Sequence, residues 1–128
     1  MIRVIFDTLL LSGLLIPHEP PAKLLETWEK RQFSLIACDE LITEFRAVSE
    51  RTFFKNRLRR SAVEEMAFHL EAFSITVGAL PESGFDPDPK DSYLLGMAEA
   101  GNADYLVTGD KALQRLRKHR STRIVSPL

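Results

Sequence analysis

Short apolar runs rich in β-branched residues alternate along this chain with longer segments whose apolar residues recur at helical spacing. The runs lie at 2–6, 33–37, 73–77, 105–107 and 123–125. Apolar runs of this length are typical of strands buried on both faces. Because strands that alternate with helices form right-handed crossovers, the pattern predicts an α/β fold with three layers, α/β/α, around a central and mainly parallel sheet.

Helical spacing and turn residues mark the segments between these runs. A first helix of one or two turns is predicted within 9–16 and a second within 20–30, with Leu24, Leu25 and Trp28 on one face. A third helix is predicted from Asp39, its N-cap, to about residue 49, and a fourth over 61–72. Two more are predicted over 91–100, which Gly101 ends, and over 111–119. The segment 80–91 has three prolines and reads as a loop. At 128 residues, the chain is expected to form a single domain over 1–128.

The charge distribution leaves two interpretations open. The net charge is only −1, but eleven of the 17 basic residues lie in two stretches without acids. These residues are Arg51, Lys55, Arg57, Arg59 and Arg60, then Lys111, Arg115, Arg117, Lys118, Arg120 and Arg123. Such stretches are either solvated helix faces or surfaces that contact phosphate.

The single cysteine and the hydropathy pattern are evidence on the cellular compartment of the protein. Cys38 cannot form an internal disulfide and lies beside an apolar run, which fits a small buried residue in a reducing environment. Asp7 interrupts the only stretch that resembles a signal peptide, and no apolar run reaches the length of a membrane span. We therefore expect no membrane association and a cytoplasmic location.

Four acidic residues stand out by their positions. Asp7 and Asp110 follow predicted strands, Asp91 begins a predicted helix, and Glu44 borders the apolar stripe of another. Ligands of open α/β sheets bind in the crevice at the carboxyl ends of the strands, so these acids can converge there. Carboxylates that close together need a counter-ion, and Mg²⁺ or Mn²⁺ is the usual one for oxygen ligands. Each acid alone also has a structural interpretation, as a helix cap, a turn residue or a surface group.

Four blocks of the sequence resemble the PIN-domain family, in particular the bacterial branch that contains toxins of toxin–antitoxin pairs. The blocks are VIFDTLLLSGLL, LITEF, DPKDSYLLGMA, and ADYLVTGDKAL followed by IVSP, and they span nearly the whole chain. Carried over position by position, the four acids of the family fall on Asp7, Glu44, Asp91 and Asp110. The hydroxyl beside the last acid falls on Thr108.

This resemblance implies metal-dependent hydrolysis of RNA phosphodiester bonds, with the four acids holding Mg²⁺ or Mn²⁺ and Thr108 positioning water or a ligand. Basic residues near the acids would hold the RNA by its phosphates, and the candidates are Arg46, Arg51, Lys111 and Arg115. A cognate antitoxin and a homodimer are the implied partners. The apolar LLETW segment is a possible dimer contact or part of the core.

Two departures from the family pattern support an alternative. Leu9 stands where the family usually has Asn, and Ala112 where it often has another Asp. Loss of an orienting partner can reduce metal affinity or activity about 10–100-fold. The alternative is therefore a weak or silent member that binds RNA or an antitoxin without turnover. A phosphotransferase with Asp7 as nucleophile is disfavoured, because the DxD start of one common class is absent and no lysine partner can be placed.

Overall fold

The computed structural model describes residues 1–16, 22–78 and 92–127. Its elements in chain order are β1 (Arg3–Phe6), α1 (Thr8–Leu14), α2 (Ala22–Glu29), β2 (Ser34–Ala37), α3 (Asp39–Ser49), α4 (Thr52–Lys55), α5 (Arg60–Phe73), β3 (Ile75–Thr76), α6 (Ser92–Gly101), β4 (Tyr105–Val107), α7 (Lys111–Leu116), β5 (Lys118–His119) and β6 (Thr122–Val125).

The strands form one sheet in the order β3-β2-β1-β4-β6-β5. All neighbouring pairs are parallel except β5 and β6, which form an antiparallel pair at one edge. Both edge strands, β3 and β5, have only two residues. The predicted α/β class with a mainly parallel central sheet is therefore confirmed.

The order of the strands creates a crevice beside β1. From β1 the chain moves outward through β2 to β3, and then returns across the sheet to β4 and β6 on the other side of β1. Since the crossovers share one hand, reversing direction moves the connecting helices to the opposite face. Accordingly α1, α3 and α5 pack together, while α6 packs on β1, β2 and β4. The carboxyl ends of β1 and β4 lie at the point of reversal, where α/β sheets bind ligands.

The core is formed by the central strands and the inward faces of the helices. Phe6, Leu35 and Leu106 come from three neighbouring strands and are almost fully buried, as are Phe45 of α3 and Leu95 of α6. Trp28 of α2 is also buried in this core, with Leu24 and Leu25 packed against it. The apolar face of the LLETW segment is thus largely used within the chain.

The helix ends differ from the predictions in two places. Cys38, not Asp39, is the N-cap of α3, because its sulfur accepts the backbone N–H of Leu41 at 3.4 Å. Helix α6 includes Gly101, and the left-handed residue that ends it is Asn102, with φ 50°. Glycine at 101 serves packing instead, since a Cβ there would lie 2.9 Å from Cδ1 of Ile36.

Three connections were also predicted inaccurately. The basic connector after α3 contains the one-turn helix α4. Helix α5 continues through Phe73, so the strand predicted from that residue is only Ile75–Thr76. The last helix ends at Leu116, because Arg117 adopts φ 59° and the chain turns into the β5–β6 hairpin. The predicted loop 80–91 lies outside the described residues.

No helix in the described part of the chain combines the length and apolar character that a membrane crossing requires.

Candidate active site

Asp7 and Thr108 meet at the carboxyl ends of the two central strands. Phe6 pairs with Val107 in the ladder between β1 and β4, and Asp7 and Thr108 are the next residues of each strand. The backbone N–H of Asp7 still donates to the carbonyl of Val107 at 3.2 Å, which extends the ladder by one step. The Thr108 hydroxyl then donates to Oδ2 of Asp7 at 2.5 Å. The strand register itself therefore fixes this pair.

Asp7 combines a structural role with an electrostatic cost. Its Oδ1 accepts the backbone N–H of Leu10 at 2.7 Å, so Asp7 is the N-cap of α1. Only 8% of its surface is exposed. Burial raises the pKa of Asp7 above its ordinary value, and the hydrogen bonds from Thr108, Leu10 and Gly109 offset this only in part, while Asp110 adds repulsion. A positive charge nearby would relieve that cost.

Asp110 is joined to Asp7 through the same threonine. The Thr108 hydroxyl accepts the backbone N–H of Asp110 at 3.0 Å while donating to Asp7. Oδ1 of Asp110 accepts the N–H of Leu113 at 3.1 Å, which makes Asp110 the N-cap of α7. Because Thr108 is fully buried, its hydroxyl is held between the Asp7 carboxylate and the backbone N–H of Asp110. Asp7 and Asp110 thus form one unit at the strand ends.

Glu44 reaches the same end of the sheet from α3. Its Oε1 accepts the hydroxyl of Thr8, the residue after Asp7, at 3.2 Å. Its Oε2 accepts the hydroxyl of Tyr93, in the first turn of α6, at 2.5 Å. Glu44 is half-buried. These two bonds tie α1, α3 and α6 together around one carboxylate, so three of the four predicted acids lie at the same rim.

The fourth acid, Asp91, lies outside the described residues, and its place in the site stays a prediction. In the described part of the chain, no three His, Cys, Asp or Glu side chains come close enough to hold a metal ion together. The chemistry of the donors nevertheless suits a hard divalent cation, because Asp7, Asp110 and Glu44 offer only carboxylate oxygens. The raised pKa of buried Asp7 fits such a cation as well.

The four basic residues predicted to hold RNA differ in their surroundings. Arg46 is partly engaged, because it forms ion pairs of 3.6 Å with Glu64 and 3.9 Å with Glu71 of α5. Arg51 is exposed immediately before α4. Lys111 and Arg115 are exposed on α7, the helix that Asp110 caps. The last two stand close in the chain to the Asp7–Asp110 unit, and Arg46 is directed toward acids of its own molecule.

The two departures from the family pattern lie on the helices that begin at the site. Leu9, in the first turn of α1, is 54% exposed. Ala112 is half-buried in the first turn of α7. Neither side chain offers a polar atom to the acids beside it.

Sequence reasoning did not find Thr8, Tyr93 and Gln114. The first two orient Glu44, and the side-chain amide of Gln114 donates to the carbonyl of Thr108 at 2.7 Å. Thr8 and Tyr93 lie within two residues of predicted acids, which was the only signal in the sequence. Their pairing with Glu44 depends on how helices pack across the sheet.

The PIN domain family model matches residues 3–112. The chain therefore belongs to the PIN domain family, as the sequence blocks predicted. Among solved structures, the crystal structure of VapBC2 from Rickettsia felis bound to a DNA fragment from their promoter contains a similar chain, with a TM-score of 0.62 and 13% identity. That alignment covers 98% of each chain and shows a shared fold. No curated protein matches this sequence.

Proposed function

We propose that this protein is a metal-dependent endoribonuclease and the toxin of a toxin–antitoxin pair. The observation that carries the proposal is the Asp7–Thr108–Asp110 unit at the carboxyl ends of β1 and β4, with Glu44 joined to it through Thr8. Membership of the PIN domain family supports the choice of a nuclease. The similar fold of a chain in the VapBC2 complex supports the toxin and an antitoxin partner.

In this proposal Asp7, Glu44, Asp91 and Asp110 hold Mg²⁺ or Mn²⁺. When bound, the cation would neutralise charge on the phosphodiester and acidify a water molecule. The chain provides the geometry: Thr108 orients Asp7, and Thr8 and Tyr93 orient Glu44. Lys111, Arg115, Arg51 and Arg46 hold the RNA by its phosphates in this proposal.

The experiment is an RNA cleavage assay with Mg²⁺ or Mn²⁺ and with a chelator. Asp7→Asn, Glu44→Gln, Asp91→Asn and Asp110→Asn should each abolish cleavage. Asp104→Asn is the matched control, because Asp104 binds the backbone N–H of Arg3 at the opposite end of the sheet. Cleavage that persists in the chelator, or in Asp110→Asn, would contradict the proposal. For the toxin role, expression of the chain should arrest growth, and Asp110→Asn should relieve the arrest.

Leu9 is the observation that favours a second candidate, a module that binds RNA or an antitoxin with weak or no turnover. Its exposed aliphatic side chain lies two residues after Asp7 in α1. Leu9→Asn tests this candidate, because an amide there can orient a ligand or water. Recovered cleavage with Mn²⁺ indicates a weakened nuclease, whereas RNA or antitoxin binding with no cleavage in either form indicates a binding module.

The proposal also includes a homodimer and a cytoplasmic location, where RNA and an antitoxin are available. The burial of Trp28 in the core directs the search for a dimer contact away from that side chain. Sedimentation of the purified chain at several concentrations tests the oligomeric state.

A further inference from the structure

The first basic stretch forms an exposed surface around α4. Its five cations are all exposed, and no acid lies between residues 51 and 60. They are Arg51, Lys55, Arg57, Arg59 and Arg60. Within residues 1–16, 22–78 and 92–127, none of the five forms an ion pair, whereas Arg46 and Arg120 do. Two acids line the cavity beside this surface, Glu50 after α3 and Glu64 on α5.

An aromatic ring stands in the middle of these cations. Phe53 is 54% exposed, although its neighbour Phe54 is buried. The two rings meet edge to face, with centroids 5.0 Å apart and planes at 84°. The Arg57 guanidinium lies 3.9 Å from the Phe53 ring centroid, and its Nη1 also donates to the Phe53 carbonyl at 2.8 Å. Phe53 and Arg57 are therefore held together while both stay exposed, and we call this pair the α4 platform.

The α4 platform follows α3, the helix that carries Glu44. Helix α3 ends at Ser49, five residues and about 8 Å of helix beyond Glu44, and α4 begins three residues later at Thr52. A strand of RNA that enters the site can therefore extend over this surface.

We infer that the α4 platform stacks an unpaired base of the RNA substrate, while the surrounding cations contact the neighbouring phosphates. The inference rests on the proposed function and adds to it a contact with the RNA outside the four acids. Exposed aromatic rings among cations are the usual means of binding single strands, because every base has a face that can stack and every nucleotide carries a phosphate. Since Arg57 is already held over the ring, less ordering is needed on binding.

The charges favour RNA over other occupants. A second copy of this chain that docked through the same surface would bring the five cations against themselves. An acidic peptide would match the cations, but it would leave the flat guanidinium and ring without a planar partner. Unpaired RNA satisfies both features at once.

The test measures binding of a fluorescent single-stranded oligoribonucleotide and of its duplex, in a chelator so that the RNA stays intact. Phe53→Ala should weaken single-strand binding roughly tenfold to a hundredfold, and change duplex binding much less. Phe53→Trp should keep the affinity, and Arg57→Lys should lower it although the charge is kept. Phe68→Ala is the matched control, because Phe68 is 60% exposed on α5 and lies beside His69, and no arginine of the described residues stacks on it.

Equal affinities of Phe53→Ala and the wild-type chain would overturn the inference, as would equal losses in Phe53→Ala and Phe68→Ala. A change in oligomeric state or in binding of an acidic peptide, with RNA affinity unchanged, would also overturn it and indicate a protein contact. The two proposals fail separately. A chain that cleaves RNA equally well with and without Phe53 refutes only the platform, whereas Phe53-dependent binding without cleavage refutes only the nuclease.

Discussion

The hydroxyl of Tyr93 donates to Oε2 of Glu44 at 2.5 Å, and so connects α6 on one face of the sheet with α3 on the other. Glu44 cannot turn toward solvent without losing this bond and that from Thr8. Contacts with α1 and α6 therefore hold Glu44 at the rim.

Tyr93→Phe should lower RNA cleavage about 10–100-fold, because it removes a group that orients a predicted ligand. The free energy of unfolding should fall by only about 1 kcal/mol, the usual value of one hydrogen bond. Tyr105→Phe, the other tyrosine of the chain, is the control, since Tyr105 begins β4 at the opposite end of the sheet. Equal activities of the two variants would show that Glu44 needs no orientation.

Thr108→Val should reduce both stability and cleavage. It removes the hydroxyl that joins Asp7 to Asp110, leaving a buried carboxylate and a backbone N–H short of a partner, at a cost of about 1–3 kcal/mol. Thr122→Val is the matched control, because Thr122 is also buried and donates its hydroxyl to the Ala103 carbonyl at 2.7 Å. Both variants should lower the melting temperature, and only Thr108→Val should impair cleavage.

Asp7→Asn should raise the melting temperature at neutral pH, because it removes a buried charge. Burial raises the pKa of Asp7, so the folded state holds its proton more tightly than the unfolded chain. Stability is then lost as pH rises from the ordinary pKa of 3.8 through the raised one. Asparagine keeps the helix cap without the charge, and its advantage should disappear in acid.

Glu99 provides a comparison of opposite sign in the same titration. Its hydrogen bond with His119 and its pairing with Arg120 lower the pKa of Glu99, so its contribution to stability is present above the ordinary pKa and is lost as pH falls through the lowered one. Glu99→Gln should therefore destabilise the protein at neutral pH and have little effect in acid. Identical pH profiles of Asp7→Asn and Glu99→Gln would contradict both assignments.

Phe45→Ala should lower the free energy of unfolding by about 3–5 kcal/mol, because the fully buried ring leaves a cavity between α3 and its neighbours. Phe68→Ala, at an exposed position of α5, should change it by less than about 0.5 kcal/mol. Urea denaturation of both variants measures the difference. A small effect of Phe45→Ala would show that this part of the core can collapse.

The sequence was sufficient for the parallel sheet, because buried strands and amphipathic helices each leave a periodic pattern. It also predicted that Asp7 and Asp110 lie at the carboxyl ends of strands, because each of them follows a predicted strand. It could not predict Tyr93 as a partner of Glu44, since that contact depends on the packing of helices from two faces. The β5–β6 hairpin was missed because the left-handed conformation of Arg117 has no signal in a run of basic residues.

The brevity of β3 and β5 limits how copies of this protein can associate. Each edge strand has two residues and offers very few unpaired backbone groups to another strand. Continuous sheets across a subunit boundary are therefore disfavoured, and so is fibril growth by strand addition from the folded state. Copies of this chain are therefore expected to associate through side chains rather than by pairing of these two strands.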